Sequence, residues 1–236
     1  MNIAGLQKMT LLDFPGRVAC TVFLQGCNFR CPFCHNRDLL PGKGEALMDD
    51  QQLLAFLKKR QGLLDGVCIT GGEPTLREAL PELLQSIKAL GYAVKLDTNG
   101  AHPEVLKAVV EAGYVDYVAM DIKNSPDLYG KTAGMQESLF GKVEESIRYL
   151  LAGNVDYEFR TTVVAEFHDL SSVERMGAWV QKLGDGQRAK QWYLQCFADR
   201  DSVLVAGLHA PETTQMRQYA AVLALYAEFV DLRGVD

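Results

Sequence analysis

Long apolar runs are missing from this sequence: nowhere do enough hydrophobic residues follow one another to span a bilayer, which excludes a membrane-spanning helix. The first residues, Met1-Asn2-Ile3-Ala4-Gly5-Leu6-Gln7, lack a basic segment followed by an apolar core, so no export signal is expected and the chain reads as cytoplasmic. Positive charge is scarce too. Lys and Arg number 24 against 30 Asp and Glu, for a net charge of −6. With a sequence pI of about 5.3, the general basic footprint of a nucleic-acid binder is absent. Neither nucleic acid nor membrane is expected as a partner. Six cysteines in 236 residues without an export signal do not make the disulfide framework of a small secreted protein. Low-complexity tracts and composition breaks are lacking as well, so nothing marks a linker, and one domain over residues 1–236 is expected.

Three of the cysteines fall in one short stretch, Gly26-Cys27-Asn28-Phe29-Arg30-Cys31-Pro32-Phe33-Cys34-His35-Asn36-Arg37. The spacing C-x3-C-x2-C lets Cys27, Cys31 and Cys34 turn their sulfurs toward a common centre, whereas any disulfide among them leaves one thiol over. A structural zinc site wants four ligands, and His35, bonded directly to Cys34, is badly placed to be the fourth. Three thiolates suit an iron-sulfur cluster with one iron left open. The other cysteines, Cys20, Cys68 and Cys196, lie in apolar stretches and read as buried reduced thiols.

Strand and helix patterns alternate along the chain. Leu12-Asp13-Phe14-Pro15-Gly16 reads as a turn, with Asp13 bonding nearby backbone N–H groups. Strands are predicted over 18–24, 66–70, 92–96, 115–120, 155–164 and 191–197. Helices are predicted over 49–60, 76–90, 103–112, 139–151, 171–183 and 212–229, the first with Asp49 or Asp50 as N-cap. Pro41-Gly42-Lys43-Gly44 reads as a connection, and 127–135 as a loop. About six β/α units imply an α/β fold with a parallel sheet curved into a partial barrel, (β/α)6.

In such a fold, chemistry gathers at the C-terminal ends of the strands. The first strand leads into the cysteines, and the second into Thr70-Gly71-Gly72-Glu73-Pro74, where adjacent glycines permit close backbone approach and Glu73 adds an acceptor. The third ends in Asp97-Thr98-Asn99-Gly100 and the fourth in Met120-Asp121-Ile122-Lys123; two such aspartates in a low-dielectric site call for a nearby cation, and Lys123 is one. In the fifth, Arg160 needs an anion: either a ligand carboxylate or an ion pair with Asp97, Asp121 or Glu158. The sixth ends Leu194-Gln195-Cys196-Phe197-Ala198. His35 and Asn36 either bond a ligand or satisfy backbone in a turn, His102 and His168 fit helix capping, and Trp179, Trp192, Tyr219 and Tyr226 fit packing.

The C-x3-C-x2-C loop, with an aromatic residue, Phe33, before its last cysteine, resembles the radical S-adenosylmethionine superfamily. Together with Cys34-His35-Asn36, the Leu12–Gly16 turn and the strand-end segments, it is similar to activating enzymes of the glycyl-radical type, above all those of anaerobic ribonucleoside-triphosphate reductase, with which it shares the Gln195-x-Phe197 pattern. The resemblance implies a 4Fe-4S cluster on Cys27, Cys31 and Cys34, with S-adenosylmethionine on the open iron. It implies cofactor contacts from Phe33, Asn36, Gly71, Gly72, Glu73, Asp97, Lys123, Arg160 and Gln195, with the glycine motif holding the methionine amino group. By likeness to the pyruvate formate-lyase activating enzyme it implies a monovalent cation on Asp97, Thr98 and Asp121; that enzyme's ribose-contacting histidine has no counterpart here, since Ala198 stands near that point.

The implied reaction is reductive cleavage of S-adenosylmethionine, driven by a flavodoxin or ferredoxin-like electron donor, and abstraction of hydrogen from a glycine of a partner protein. Anaerobic ribonucleotide reductase is the first expectation for that partner; pyruvate formate-lyase or a related enzyme is the second. The stretch from Cys34 to Asp49 is too short, and too free of cysteine, for a ferredoxin-like insert. Two other classes compete: a radical enzyme acting on a small molecule, and a zinc-binding module without catalysis.

Overall fold

The computed structural model describes residues 3–40, 46–199 and 202–235. The connection Pro41-Gly42-Lys43-Gly44 lies outside them. Eight strands form one sheet in chain order. They are β1 (Ile3–Thr10), β2 (Ala19–Leu24), β3 (Gly66–Gly71), β4 (Ala93–Thr98), β5 (Tyr117–Asp121), β6 (Asp156–Val163), β7 (Ala189–Cys196) and β8 (Ala227–Arg233). The helices are α1 (Asp50–Lys58), α2 (Leu80–Ala89), α3 (Pro103–Glu111), α4 (Pro126–Ala133), α5 (Phe140–Leu151), α6 (Leu170–Leu183) and α7 (Thr213–Leu223). The expected α/β class holds, and β2 to β7 are the six strands read from the sequence. β1, which the sequence reading left out, pairs antiparallel with β2.

The chain divides into two compact units, one of Met1–Asn28, Asp38–Thr98 and Glu104–Ala119, the other of Phe29–Arg37, Asn99–Pro103 and Met120–Asp236. In the first, β2, β3 and β4 run parallel, with Val22 opposite Ile69 and Ile69 opposite Leu96. All three of those side chains are fully buried, and strands this apolar on both faces belong inside a sheet covered by helices. The turn after β1 is anchored by Phe14, 3% exposed and 6.1 Å from the Tyr117 ring. Burying such a ring contributes about 2 kcal/mol. Asp13 works otherwise than expected: its carboxylate accepts from the Thr21 hydroxyl at 2.5 Å, while Thr10 Oγ1 accepts from the N–H groups of Leu12 and Asp13. α1 opens on Asp49, whose carboxylate accepts from Gln52 N–H while the Gln52 side chain accepts from Asp49 N–H.

In the second unit β6, β7 and β8 run parallel. Two segments differ from the sequence reading. The expected loop over 127–135 is the helix α4: Pro126 at its start presets φ, and Gly134, at φ +57°, closes it in the left-handed conformation. Tyr129 anchors this helix among the rings of Phe140 and Trp179, at 5.4 and 5.7 Å. The expected helix over 212–229 stops at Leu223, and Ala227–Arg233 becomes β8 instead. Pairing with β7 overrides helix propensity there, and Tyr226, just before the strand, packs where a side chain on Gly177 would stand.

Candidate functional site

In the first unit, β2 and β3 deliver their glycines to the same place. Gly71 has φ +131°, and a Cβ on it would lie 2.2 Å from the Leu24 carbonyl oxygen. A Cβ on Gly72 would stand 2.0 Å from the Gly26 carbonyl oxygen and 3.2 Å from Cys27 Cβ. No larger residue fits at either position without moving backbone. The bonds that close this junction are Gly72 N–H to Leu24 O at 2.9 Å and Glu73 N–H to Gly26 O at 2.7 Å. The glycine turn and the entry to the cysteine loop are thus one backbone construction.

Glu73 is 1% exposed. Its Oε1 accepts from Thr75 N–H at 3.1 Å, Thr75 Oγ1 at 2.6 Å and Thr98 Oγ1 at 2.8 Å. This carboxylate therefore fastens the glycine turn to the end of β4. One residue before Thr98, Asp97 is 9% exposed; its carboxylate forms an ion pair with the ammonium of Lys95 and accepts from Cys68 Sγ at 3.7 Å. Cys20 is a fully buried thiol whose pKa burial pushes up to about 12; Cys68 is also fully buried and Cys196 half-buried, all three free of disulfide.

In the second unit, Cys31 and Cys34 lie on a segment gripped from two sides. On one side Arg30 N–H donates to the carbonyls of Ala133 and Gly134, both at 3.1 Å, and Cys31 Sγ reaches Ala133 O at 3.4 Å. A Cβ on Gly134 would come within 2.2 Å of Arg30 O. On the other side, the segment after β7 bonds to the loop backbone: Leu204 N–H to Cys34 O at 3.2 Å and Val205 N–H to Pro32 O at 2.9 Å. His35 stacks on Phe197 with ring centroids 5.5 Å apart and bonds Ala198 O through Nε2 at 2.7 Å. Phe33 is buried, 6.1 Å from the Phe167 ring, whereas Asn36 and Gln195 are exposed.

Asp121 accepts from Lys123 Nζ at 2.9 Å and from Arg160 Nε at 3.1 Å. Of the two roles open to Arg160, the structure thus displays the ion pair, with Asp121 as an acid partner; Glu158 pairs with Arg233. Burial opposes the charge of Lys123, but Asp121 and Cys31 outweigh it and its pKa is raised. Burial pushes the Cys31 thiol up to about 11, against the pull of Lys123. His168 is no helix cap. It is 4% exposed, with Nδ1 accepting from Val164 N–H at 3.1 Å and Nε2 donating to Lys123 O at 2.9 Å. The cap of α6 is Asp169, whose carboxylate accepts from Ser172 N–H at 2.6 Å.

The profile of the Radical SAM superfamily matches residues 21–174, from β2 through most of α6. The chain belongs to the radical SAM superfamily. Members of it use a 4Fe-4S cluster and S-adenosylmethionine. Along 99% of its length the chain is 28% identical to a Methanocaldococcus jannaschii protein, 96% of which is covered, whose name assigns it provisionally to glycyl-radical enzyme activation. It is 28% identical to the pyruvate formate-lyase 1-activating enzyme of Escherichia coli over 79% of this chain and 78% of that one. Among solved structures, a domain of the pyruvate-formate lyase-activating enzyme from Bacteroides vulgatus superposes with a TM-score of 0.58 at 18% identity, covering 72% of this chain and 99% of that domain.

The donor set fits the radical SAM cluster in kind. Cys27, Cys31 and Cys34 are all free of disulfide. Among the described residues, no group of three or more His, Cys, Asp or Glu is gathered as a metal site, so the assignment rests on thiol chemistry, the glycine junction and family membership. Sequence reasoning missed Lys95, the buried role of His168, and the grip of α4 and the post-β7 segment on the cysteine loop. A signal for the first was present: Lys95 and Asp97 are two apart on a strand and so share a face.

Proposed function

We propose that this radical SAM enzyme is an activase that makes a glycyl radical in anaerobic ribonucleoside-triphosphate reductase. The observation that carries the activase reading is the likeness running through 99% of the chain to a protein named for glycyl-radical enzyme activation. Cys27, Cys31 and Cys34 hold the 4Fe-4S cluster, and residues 1–236 act as one radical SAM domain. When bound, cluster and S-adenosylmethionine supply one-electron reduction of the sulfonium and abstraction of a hydrogen atom from the partner glycine.

The chain's own residues bind and orient. Carbonyls of Gly71 and Gly72 accept from the methionine amino group, at a turn that Glu73 keeps in place through its bonds to Thr75 and Thr98. Lys123 and Arg160 carry the positive charge for the cofactor carboxylate, and Asp121 holds both until then. Phe33, Asn36, Asp97 and Gln195 complete the cofactor contacts. No side chain acts as a general acid or base, because the chemistry moves an electron and a hydrogen atom. The electron donor is a flavodoxin or ferredoxin-like protein. The activase acts in the cytoplasm, where thiols that receive a cluster stay reduced. No described helix is long and apolar enough to cross a membrane.

Gln195-x-Phe197, followed directly by Ala198 where the formate-lyase activating enzyme has its histidine, favours ribonucleotide reductase as the partner. The likeness to the Escherichia coli enzyme favours a second reading, activation of pyruvate formate-lyase or a related lyase. Electron paramagnetic resonance separates them. Reduced protein, S-adenosylmethionine and each candidate partner are mixed without oxygen, and a glycine-centred doublet is expected with the reductase. A doublet with the lyase alone moves the assignment to the second reading. If deoxyadenosine forms in proportion to a small-molecule product without any partner protein, the activase reading fails.

A further inference from the structure

Likeness to the pyruvate formate-lyase activating enzyme would give Asp97 a monovalent metal ion as its counter-charge, yet the fold already provides one. The ammonium of Lys95 pairs with Asp97 Oδ1. Both residues leave the same face of β4, and Lys95 is 1% exposed. Cys68, opposite Lys95 on β3, completes the enclosure, with its Sγ 3.9 Å from Lys95 Nζ and 3.7 Å from Asp97 Oδ1.

An ammonium buried so deeply is stable only against an opposing charge, and a neutral thiol does not supply one. Asp97 does. A potassium or sodium ion brought to the same carboxylate would shed water to sit beside a like charge in a low-dielectric interior. Asp121 is served separately, by Lys123 at 2.9 Å and Arg160 at 3.1 Å.

We propose that Lys95 supplies, from within the protein, the positive charge that a monovalent metal ion would otherwise bring to Asp97, so that cofactor binding needs no such ion. This rests on the cofactor site proposed above. Lys95 is a positioning residue here: it fixes Asp97 and through it the end of β4, and touches no reacting atom.

The test compares potassium, sodium and choline chlorides at equal ionic strength. Two quantities are read on the full chain: affinity of the cluster-loaded protein for S-adenosylmethionine, and the thermal midpoint of the cluster-free protein. Wild-type affinity should agree within about twofold across the salts, with no potassium-specific rise in midpoint. Lys95→Met keeps the stem and removes the charge. It should gain about tenfold in affinity from choline to potassium, with a midpoint that climbs as potassium is added. Wild-type affinity that saturates with potassium after a rise of about tenfold overturns the proposal. So does a folded Lys95→Met indifferent to the salt. If Lys95→Met does not fold, Lys95→Gln replaces it, and the wild-type comparison decides by itself should neither fold. Failure to bind the cofactor in every salt would strike the cofactor site instead; the midpoint needs no cofactor and still judges Lys95.

Discussion

Gly72→Ala probes the junction between the glycine turn and the cysteine loop by sterics alone, because Gly72, unlike Gly71, has no positive φ to confound the result. The added methyl would lie 2.0 Å from Gly26 O and 2.5 Å from Gly26 C, both backbone atoms that no side-chain rotation can clear. The two strand ends must part, and the Glu73 N–H to Gly26 O bond at 2.7 Å is lost or stretched. Losing that bond costs about 1 kcal/mol, and overpacking adds about 1–3 kcal/mol. The sum, about 2–4 kcal/mol, lowers the melting temperature by about 4–16 °C for a chain of this length. Cys27 follows Gly26 directly, so the displacement also moves the proposed cluster ligand, and bound iron and sulfide should fall with stability. Thermal melting followed by circular dichroism and iron and sulfide analysis after anaerobic reconstitution read the two effects. A variant that melts within about 1 °C of the parent and takes up a full cluster would refute the claim that these backbones are packed to their limit.

Three further substitutions address separate points. Cys31→Ala removes a thiol that bonds Ala133 O at 3.4 Å, so stability drops by about 1 kcal/mol while cleavage of S-adenosylmethionine disappears; retained deoxyadenosine formation would count against the cluster assignment. His168 is held neutral, its pKa lowered by burial, so its unfolded form binds a proton first on acidification. Stability should be full above about pH 6.5 and decline below it toward the lower folded pKa; urea melts between about pH 5 and 8 should show this slope flattened in His168→Gln, whose amide can replace both bonds. Arg233→Leu strips Glu158, 1% exposed, of donors at 3.2 and 3.1 Å. The cost should be about 3 kcal/mol by denaturant melts, and adding Glu158→Gln should restore much of it; an unchanged midpoint in the single variant would show the pair to be inert.

How far the site was legible depended on the range of the interactions. The cysteine spacing, Gly71-Gly72-Glu73 and the aspartates at the ends of β4 and β5 are local patterns, and the structure puts them at the strand ends where the alternating pattern placed them. α4 was hidden by Gly130 inside it, although Pro126 and Gly134 marked both its ends. β8 was hidden for another reason. Its residues suit a helix about as well as a strand, and only hydrogen bonding to β7, a neighbour distant in sequence, decides between them. The pairing of Glu158 with Arg233 and the seat of His168 on the Lys123 carbonyl were unreadable for the same reason: each joins positions many residues apart.

Lys123 shows why the second unit would spend structure on a buried ammonium. Asp121 keeps that ammonium charged, and His168 holds its backbone carbonyl, so the side chain and the main chain of one residue are fixed independently. Its charge in turn opposes the burial that drives the Cys31 thiol up to about 11. Burial alone would keep this thiol protonated and a poor ligand; a fixed cation lowers the cost of the thiolate that a metal requires. Arg160 shares Asp121 with Lys123, so the carboxylate meets two cations and the group retains net positive charge. That excess is what a site needs if it is to accept thiolates and a cofactor carboxylate together, and a lone Asp121–Lys123 pair would not leave it.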